Sequence, residues 1–282
     1  MRGRAIVELD KLHGKEFFKK IAEGMVTILE NTLAINSHAC KLKEQDFIRG
    51  ARILNIIAEE EAAKYLILLD AVRCPRKNNM LINHLKHFND HLAKGIYVMC
   101  CKLRPAHFKE LREYIDRERE RYYLDGPNDV DFIFYNQILQ NREDTFYVDY
   151  VDFTEDGEDN KWISPKKYDS FPWGGPESTS MIFSLIEAMD SVGFSEPDAL
   201  EIISHKWQSV EIKDNFLITD LIRINYETLE DIDKADYLKE QPQKIYNRIT
   251  SLWFYPLYTL KLEICKVSKE KLHEIQKSWT PY

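Results

Sequence analysis

The sequence is poor in glycine and proline, lacks a C-x-x-C pair and has no long apolar run. Its 282 residues include 10 Gly and 10 Pro, well below the average usage of about one residue in eight for the two together, which argues against turn-rich β folds, collagen and low-complexity chains. Apolar stretches such as Tyr65–Leu69 are far shorter than the roughly 18 residues of a membrane span. We therefore expect a protein of a reducing, cytoplasmic compartment with no membrane partner.

Charge is unevenly distributed along the chain. The net charge is −8, yet residues 1–125 hold 23 basic and 18 acidic side chains, whereas residues 126–282 hold 16 and 29. A basic half can meet a polyanion such as RNA, and an acidic half repels one. Because ordinary two-part proteins show the same asymmetry, the charge pattern alone leaves RNA binding open.

Helical periodicity dominates the chain, and 44% of the residues are apolar, which is enough for a sizeable core. Apolar residues recur at helical spacing over 16–35, 44–72, 79–103, 105–123, 130–140, 178–192, 197–208, 215–229, 243–263 and 268–278. Between 145 and 164, aromatic and β-branched residues flank an acidic turn, which predicts a β-hairpin. The fold prediction is mainly α, with a helical bundle at 1–142, a small β-hairpin insertion and loop at 143–176, and additional C-terminal helices at 177–282 that pack on the bundle.

A carboxylate interrupts the apolar face of the helix predicted at 44–72. At about 100° per residue, Glu61 lies in the middle of that face, and Glu60 and Lys64 lie at its edge. A buried carboxylate needs a partner, and Lys64 at i+3 is the nearest one. The pair is either a structural ion pair that fixes the register of the helix or part of a functional site.

The helix predicted at 79–103 carries a second polar strip beside its apolar stripe, formed by His84, His87, His91 and Lys94. One interpretation is a metal shared by His87 and His91, completed by a glutamate of the preceding helix. Another is general acid–base chemistry by His91, with Lys94 and Lys64 stabilising a phosphate. The third is a polar helix edge. Since neither H-E-x-x-H nor a glycine-rich phosphate loop occurs, we predict no metal and no cofactor.

Two motifs in these helices resemble those of a known family. The sequence A-E-E-E-A-A-K at Ala58–Lys64 resembles the S-x-E-E-x-G-K pattern of the AbiV family of bacterial abortive-infection proteins, with alanines in place of Ser and Gly. The sequence H-F-N-D-H-L-A-K at His87–Lys94 resembles the H-x-x-K element of that family. Residues Glu143–Pro165 resemble its strand element, so the resemblance extends over about residues 15–170.

The resemblance implies a HEPN-like helical bundle, a homodimer and an intracellular antiphage role, with translation arrest as the suggested route. Many HEPN proteins are ribonucleases with an Arg-x4–6-His motif. Here seven residues separate Arg76 from His84, and two separate Arg104 from His107. This departure moves the predicted site from an Arg–His motif to the residues that match the family motifs, which are Glu60, Glu61, Lys64, His91 and Lys94.

We therefore predict an antiphage abortive-infection effector that acts on RNA or the translation machinery, a candidate ribonuclease. In it, Glu61 and Lys64 position and polarise His91, and Lys94 engages phosphate. The expected partners are a second copy of the chain, RNA or the translation machinery, and a phage-encoded trigger protein. The alternative is a non-catalytic helical interaction module that forms a dimer or a complex with a phage or host protein.

Overall fold

The computed structural model describes residues 5–119, 123–124, 132–133, 136–152, 160–165, 180–235 and 243–265. Its α-helices are α1 (Gly14–Glu44), α2 (Ile48–Arg73), α3 (Met80–Lys86), α4 (His91–Cys100), α5 (Phe108–Arg119), α6 (Gln137–Phe146), α7 (Met181–Ser191), α8 (Pro197–Gln208), α9 (Ile218–Lys234) and α10 (Gln243–Leu252), with 3-10 helices at Ile6–Lys11 and His87–Asn89. Two antiparallel pairs join β1 (Tyr123–Leu124) to β2 (Phe132–Ile133) and β3 (Asp149–Asp152) to β4 (Asn160–Ile163). The prediction of a mainly α fold with a small β-hairpin is confirmed.

The helices α1 and α2 form the most extensively packed pair of the fold. A three-residue turn joins them, and in this turn Asp46 has a left-handed φ of 63°. Residue 44 therefore ends α1, and the second helix starts at Ile48 rather than at the predicted residue 44. On α2 the run from Tyr65 to Arg73 is buried on all sides, because α1, α4, α7 and α8 all pack on this helix.

The C-terminal helices share their core with the bundle. Apolar residues from α1 to Leu262 form one buried cluster, and α7 and α8 contact both α1 and α2. The three-part division of the chain stays a prediction, and its boundary at residue 176 and the helix predicted at 268–278 lie outside the described residues. No helix in the described ranges is long and apolar enough to cross a membrane.

The helix predicted at 243–263 ends early, at Leu252. Pro256 has no N–H to continue a helix, and the N–H of Leu257 donates instead to Asp70 Oδ2 at 2.8 Å. The segment 253–262 is therefore an irregular, largely buried strap across the end of α2.

The helix predicted at 79–103 is divided in two. Asp90 has an extended backbone (ψ 124°), and its Oδ1 accepts a hydrogen bond from the N–H of Ala93 at 2.9 Å, so it caps the N-terminus of α4. The predicted histidine strip is therefore wrong as a continuous feature. His84 and His87 lie in the buried region before the break, and His91 begins α4 with an exposed side chain.

The helix predicted at 130–140 lies further along the chain, as α6. Asn136 caps it, accepting from the N–H of Leu139 at 3.2 Å, and α6 packs closely on α4. A Cβ added at Gly95 would lie 2.1 Å from Cγ2 of Ile138. The absence of a side chain at Gly95 therefore allows this close approach.

Candidate functional site

Three helices converge on the carboxylate of Glu60. Its Oε2 accepts hydrogen bonds from His91 Nδ1 at 2.8 Å and from Lys94 Nζ at 2.9 Å, both on α4. Its Oε1 accepts a hydrogen bond from Arg142 Nε on α6 at 3.0 Å. Glu60, His91, Lys94 and Arg142 are called the Glu60 cluster below.

The contacts of His91 fix its tautomer. An N···O separation of 2.8 Å to a carboxylate requires the proton on Nδ1, which donates to Glu60. Lys94 Nζ lies 3.3 Å from the same nitrogen, and since both groups are then donors, this contact is not a hydrogen bond. In the neutral ring, Nε2 is therefore the free acceptor, and the side chain that bears it is 44% exposed.

Glu60 is ionised at neutral pH. Burial raises its pKa, but the hydrogen bond and the positive charge of Lys94, together with His91, outweigh the burial, so the pKa lies below its ordinary value. Lys94 is itself buried, with 6% of its side chain exposed, and Glu60 has 14% exposed. The pair is a desolvated ion pair that holds α4 against α2.

Arg142 is the site residue that the sequence did not indicate. It lies outside the helix predicted at 130–140 and in neither family motif, and it reaches Glu60 because α6 packs on α4 through Gly95 and Ile138. Its guanidinium also contacts Glu143 at 2.9 Å and the ring of Phe146 at 4.7 Å. The one signal available in the sequence was that Arg142 is the only basic residue between Asn136 and Phe146.

Glu61 and Lys64 form a separate pair. Lys64 donates to Glu61 Oε1, as the i+3 spacing predicts, and Asn31 Nδ2 on α1 donates to Oε2 at 3.1 Å. Both side chains are about one-fifth exposed, so Glu61 is not buried in the middle of the apolar face. The sequence interpretation paired Glu61 with His91. In the structure, His91 instead binds Glu60.

The two remaining histidines of the predicted strip are structural. Nε2 of His84 lies 2.8 Å from the carbonyl oxygen of Ile67, to which it donates. Burial lowers the pKa of both rings, that of His87 to about 4. Within the part of the chain that the structure describes, no group of three or more His, Cys, Asp or Glu side chains is placed to hold a metal.

The two Arg–His pairs noted in the sequence do not form a site. Arg76 Nη1 donates to the carbonyl of Leu12 at 2.6 Å and contacts His13 Nδ1 at 3.1 Å, away from the buried His84. Arg104 donates to the backbone carbonyls of Cys101 and Leu103. The described geometry therefore provides no Arg-x4–6-His arrangement and leaves the Glu60 cluster as the candidate site.

Fold and site together define a helical-bundle protein in which three helices present a histidine–carboxylate pair and two cations. A family model described as AbiV, of the HEPN type, matches residues 20–170. The chain belongs to the AbiV family. No curated protein and no solved structure matches it. The matched span contains all four residues of the Glu60 cluster, and membership of the family suggests a role in abortive infection, a form of antiphage defence.

Proposed function

We propose that this protein is an antiphage abortive-infection effector that acts on RNA, free or within the translation machinery, through the Glu60 cluster. The observation that carries the proposal is the hydrogen bond from His91 Nδ1 to the ionised Glu60. A carboxylate that fixes one ring nitrogen orients the other and raises its basicity, which is the arrangement of a general base.

RNA provides its own nucleophile, so a general base and a cation are sufficient. His91 Nε2 accepts the proton of a ribose 2′-hydroxyl, and the 2′-oxygen attacks the adjacent phosphorus. The bond from phosphorus to the 5′-oxygen breaks, and that oxygen takes up a proton from the imidazolium. The products are a 2′,3′-cyclic phosphate and a 5′-hydroxyl end.

The cations of the Glu60 cluster and of the neighbouring Glu61–Lys64 pair divide between two roles in this proposal. Lys94 is buried and bound to Glu60, so we assign it to positioning Glu60 and His91 rather than to phosphate. Arg142 and Lys64 each have 19% of the side chain exposed. Both are more exposed than Lys94, so we assign them to the phosphate, where a guanidinium or an ammonium stabilises the charge that develops.

His91→Ala tests the proposal, with His205→Ala as a matched control because His205 is an exposed histidine on α8, outside the Glu60 cluster. We expect His91→Ala to abolish protection against phage in a plaque assay and cleavage of total RNA or tRNA by the purified protein. The melting temperature of both variants should stay within a few degrees of the parent, because exposed side chains contribute little to stability. His205→Ala should keep both activities.

Cleavage by the purified protein should survive EDTA, since the proposed chemistry uses no metal. Cleavage that EDTA abolishes, or full protection by a folded His91→Ala variant, would contradict the proposal.

The burial of the Glu60–Lys94 pair also favours the second candidate, a non-catalytic interaction module in which the cluster is a clamp between α2, α4 and α6. Under this alternative, His91→Gln still protects against phage, because the contacts of Lys94 and Arg142 with Glu60 remain. Neither the parent protein nor the variant cleaves RNA.

A further inference from the structure

A cavity lies at the end of α2 that is remote from the Glu60 cluster. It holds about 230 Å³ between the 3-10 helix Ile6–Lys11 and the turn that joins α2 to α3. Glu60 and Arg73, the last residue of α2, are thirteen residues apart, which is about 20 Å at 1.5 Å per residue. The cavity is therefore distinct from the candidate site described above.

The lining of the cavity combines charged and apolar side chains. Its polar members come from the 3-10 helix and from the chain that follows α1 and α2 at their ends, and its apolar members come from the start of α3. They are Asp10, His13, Arg76 and Lys77 on the polar side and Met80 and Leu81 on the apolar side.

Arg76 is held in place by the chain around it. Its Nη1 donates to the backbone carbonyls of Asp10 at 3.3 Å and Leu12 at 2.6 Å, and its guanidinium carbon lies 4.1 Å from the centre of the Phe17 ring. Burial lowers the pKa of Arg76 and the charge of Asp10 opposes that shift, yet a guanidinium stays protonated at neutral pH. No described residue accepts a hydrogen bond from its Nε or Nη2, so these N–H groups are available to an anion.

His13 and Lys77 add two further donors. Arg76 Nη1 lies 3.1 Å from His13 Nδ1, and because a guanidinium only donates, Nδ1 accepts and the ring carries its proton on Nε2. The side chains of His13 and Lys77 are exposed, and neither Nε2 nor Nζ has a partner among the described residues. Three donor side chains, two of them cationic, therefore line one cavity, which is a composition suited to phosphate oxygens.

The turn after α2 fixes the position of Lys77. Asn78 and Asn79 both have left-handed backbones, with φ of 52° and 56°, and asparagine adopts this conformation more readily than most residues. The two residues reverse the chain, so that the N–H of Met80 donates to the carbonyl oxygen of Lys77 at 3.0 Å. Lys77 and Met80 are thereby held together at the same cavity.

Asp10 is the carboxylate of the cavity. Arg76 binds the backbone carbonyl oxygen of Asp10 rather than its side chain, so the carboxylate is not used to hold the guanidinium. A carboxylate accepts hydrogen bonds from sugar hydroxyls, as it does from ribose in dinucleotide sites, and it repels a bare phosphate. The combination favours a phosphate that is attached to a hydroxyl-bearing group.

We propose that this cavity binds a sugar phosphate, either free or as the ribose phosphate of a mononucleotide. Arg76, Lys77 and His13 bind the phosphate oxygens, and Asp10 accepts hydrogen bonds from the sugar hydroxyls. The volume is below the roughly 300–1,000 Å³ of pockets for drug-sized ligands, so a base attached to the sugar lies outside the cavity. The proposal does not depend on the Glu60 cluster, because the cavity contains none of its residues.

Isothermal titration calorimetry of the full chain with ribose 5-phosphate and with AMP tests the proposal. We expect both ligands to bind, and Lys77→Ala to raise both Kd values by about tenfold or more, because a charged hydrogen bond to phosphate is lost. Lys41→Ala is the matched control, since Lys41 is an exposed lysine at the opposite end of α1, and should leave both Kd values unchanged. Tighter binding of AMP would assign the cavity to a mononucleotide, and equal Kd values would assign it to the sugar phosphate itself.

Asp10→Ala separates the hydroxyl contact from the phosphate contact. We expect it to raise the Kd of ribose 5-phosphate by about tenfold, whereas inorganic phosphate should bind no more weakly than to the parent, because the removed carboxylate repels the anion. The melting temperature of each variant, measured in parallel, shows that it is folded.

Four results would overturn the proposal. They are no binding of ribose 5-phosphate or AMP by the parent, an unchanged Kd in Lys77→Ala, an unchanged Kd of ribose 5-phosphate in Asp10→Ala, and inorganic phosphate that binds as tightly as ribose 5-phosphate. An RNA oligonucleotide that binds through Lys77 when neither small ligand binds would instead make the cavity part of an RNA surface. Phage protection and RNA cleavage by His91→Ala are separate measurements, so failure of the RNA proposal remains distinguishable.

Discussion

At the scale of single residues, two neighbouring glutamates of α2 have different environments. Glu60 binds His91, Lys94 and Arg142, whereas Glu61 binds Asn31 and Lys64. Successive residues on a helix point about 100° apart, so the two carboxylates meet different helices. The motif A-E-E-E-A-A-K contains both, and the packing of α4 and α6 selects Glu60 as the partner of His91.

His87 leads to a prediction about pH. Its pKa is lowered from an ordinary value of 6.5 to about 4, mainly by burial; the charges of His84 and Arg119 contribute to the lowering, and those of Glu263 and Asp90 oppose it. The unfolded chain therefore takes up a proton at a higher pH than the folded chain. The stability that the neutral ring contributes is complete above pH 6.5 and is lost as the pH falls from 6.5 to about 4, by about 3 kcal/mol in total.

The test is urea unfolding of the parent and of His87→Gln across pH 4 to 7. Between pH 4 and 7, we expect the free energy of unfolding to change by about 3 kcal/mol less in the variant than in the parent. His205→Gln is the control, because that histidine is exposed, and should keep the parent slope. Equal slopes for His87→Gln and the parent would show that His87 is protonated in the folded chain.

At the scale of elements, the contact between α4 and α6 brings Arg142 to Glu60. Gly95→Ala would place a Cβ 2.1 Å from Ile138 Cγ2, so α6 has to move away. We expect a loss of about 1–3 kcal/mol in the free energy of unfolding, measured in urea, although alanine is the better helix former.

Gly50→Ala is the matched control for this prediction. The nearest atom to its added Cβ is the flexible end of Leu42, at 3.2 Å, and a small gain or no change is expected. Combining Gly95→Ala with Ile138→Ala should recover part of the loss, since the clashing methyl is removed. Additive losses in the double variant would show that the cost of Gly95→Ala does not come from contact with Ile138.

At the scale of the whole molecule, a buried network joins the bundle to the C-terminal strap. Asp70 Oδ2 accepts from Tyr97 at 2.6 Å and from the N–H of Leu257 at 2.8 Å, and Oδ1 accepts from Arg73. The Arg73 guanidinium lies 4.8 Å from the rings of both Trp207 and Trp253. These contacts join residues that are nearly two hundred positions apart in the sequence.

Arg73→Met removes the positive charge and leaves the Asp70 carboxylate buried. We expect the free energy of unfolding to fall by about 3–5 kcal/mol, measured by urea unfolding. The double variant Asp70→Asn with Arg73→Met should be more stable than Arg73→Met alone, because the uncompensated charge is gone. Arg223→Met, at an exposed ion pair with Glu227, should leave the unfolding midpoint unchanged. A double variant less stable than Arg73→Met would show that an unpaired charge at Asp70 is not what destabilises Arg73→Met.

The sequence by itself determined the mainly α class, the β-hairpin, the pairing of Glu61 with Lys64 and the family, because each depends on periodicity or on residues within one or two helical turns. Tertiary structure decided the break at Asp90, where the side chain caps a new helix instead of continuing the previous one. It also decided the irregular strap after Leu252, where the N–H of Leu257 donates to Asp70. It also decided the site. The choice of Glu60 over Glu61 and the presence of Arg142 depend on how closely α6 approaches α4, a distance set by packing between residues far apart in the chain.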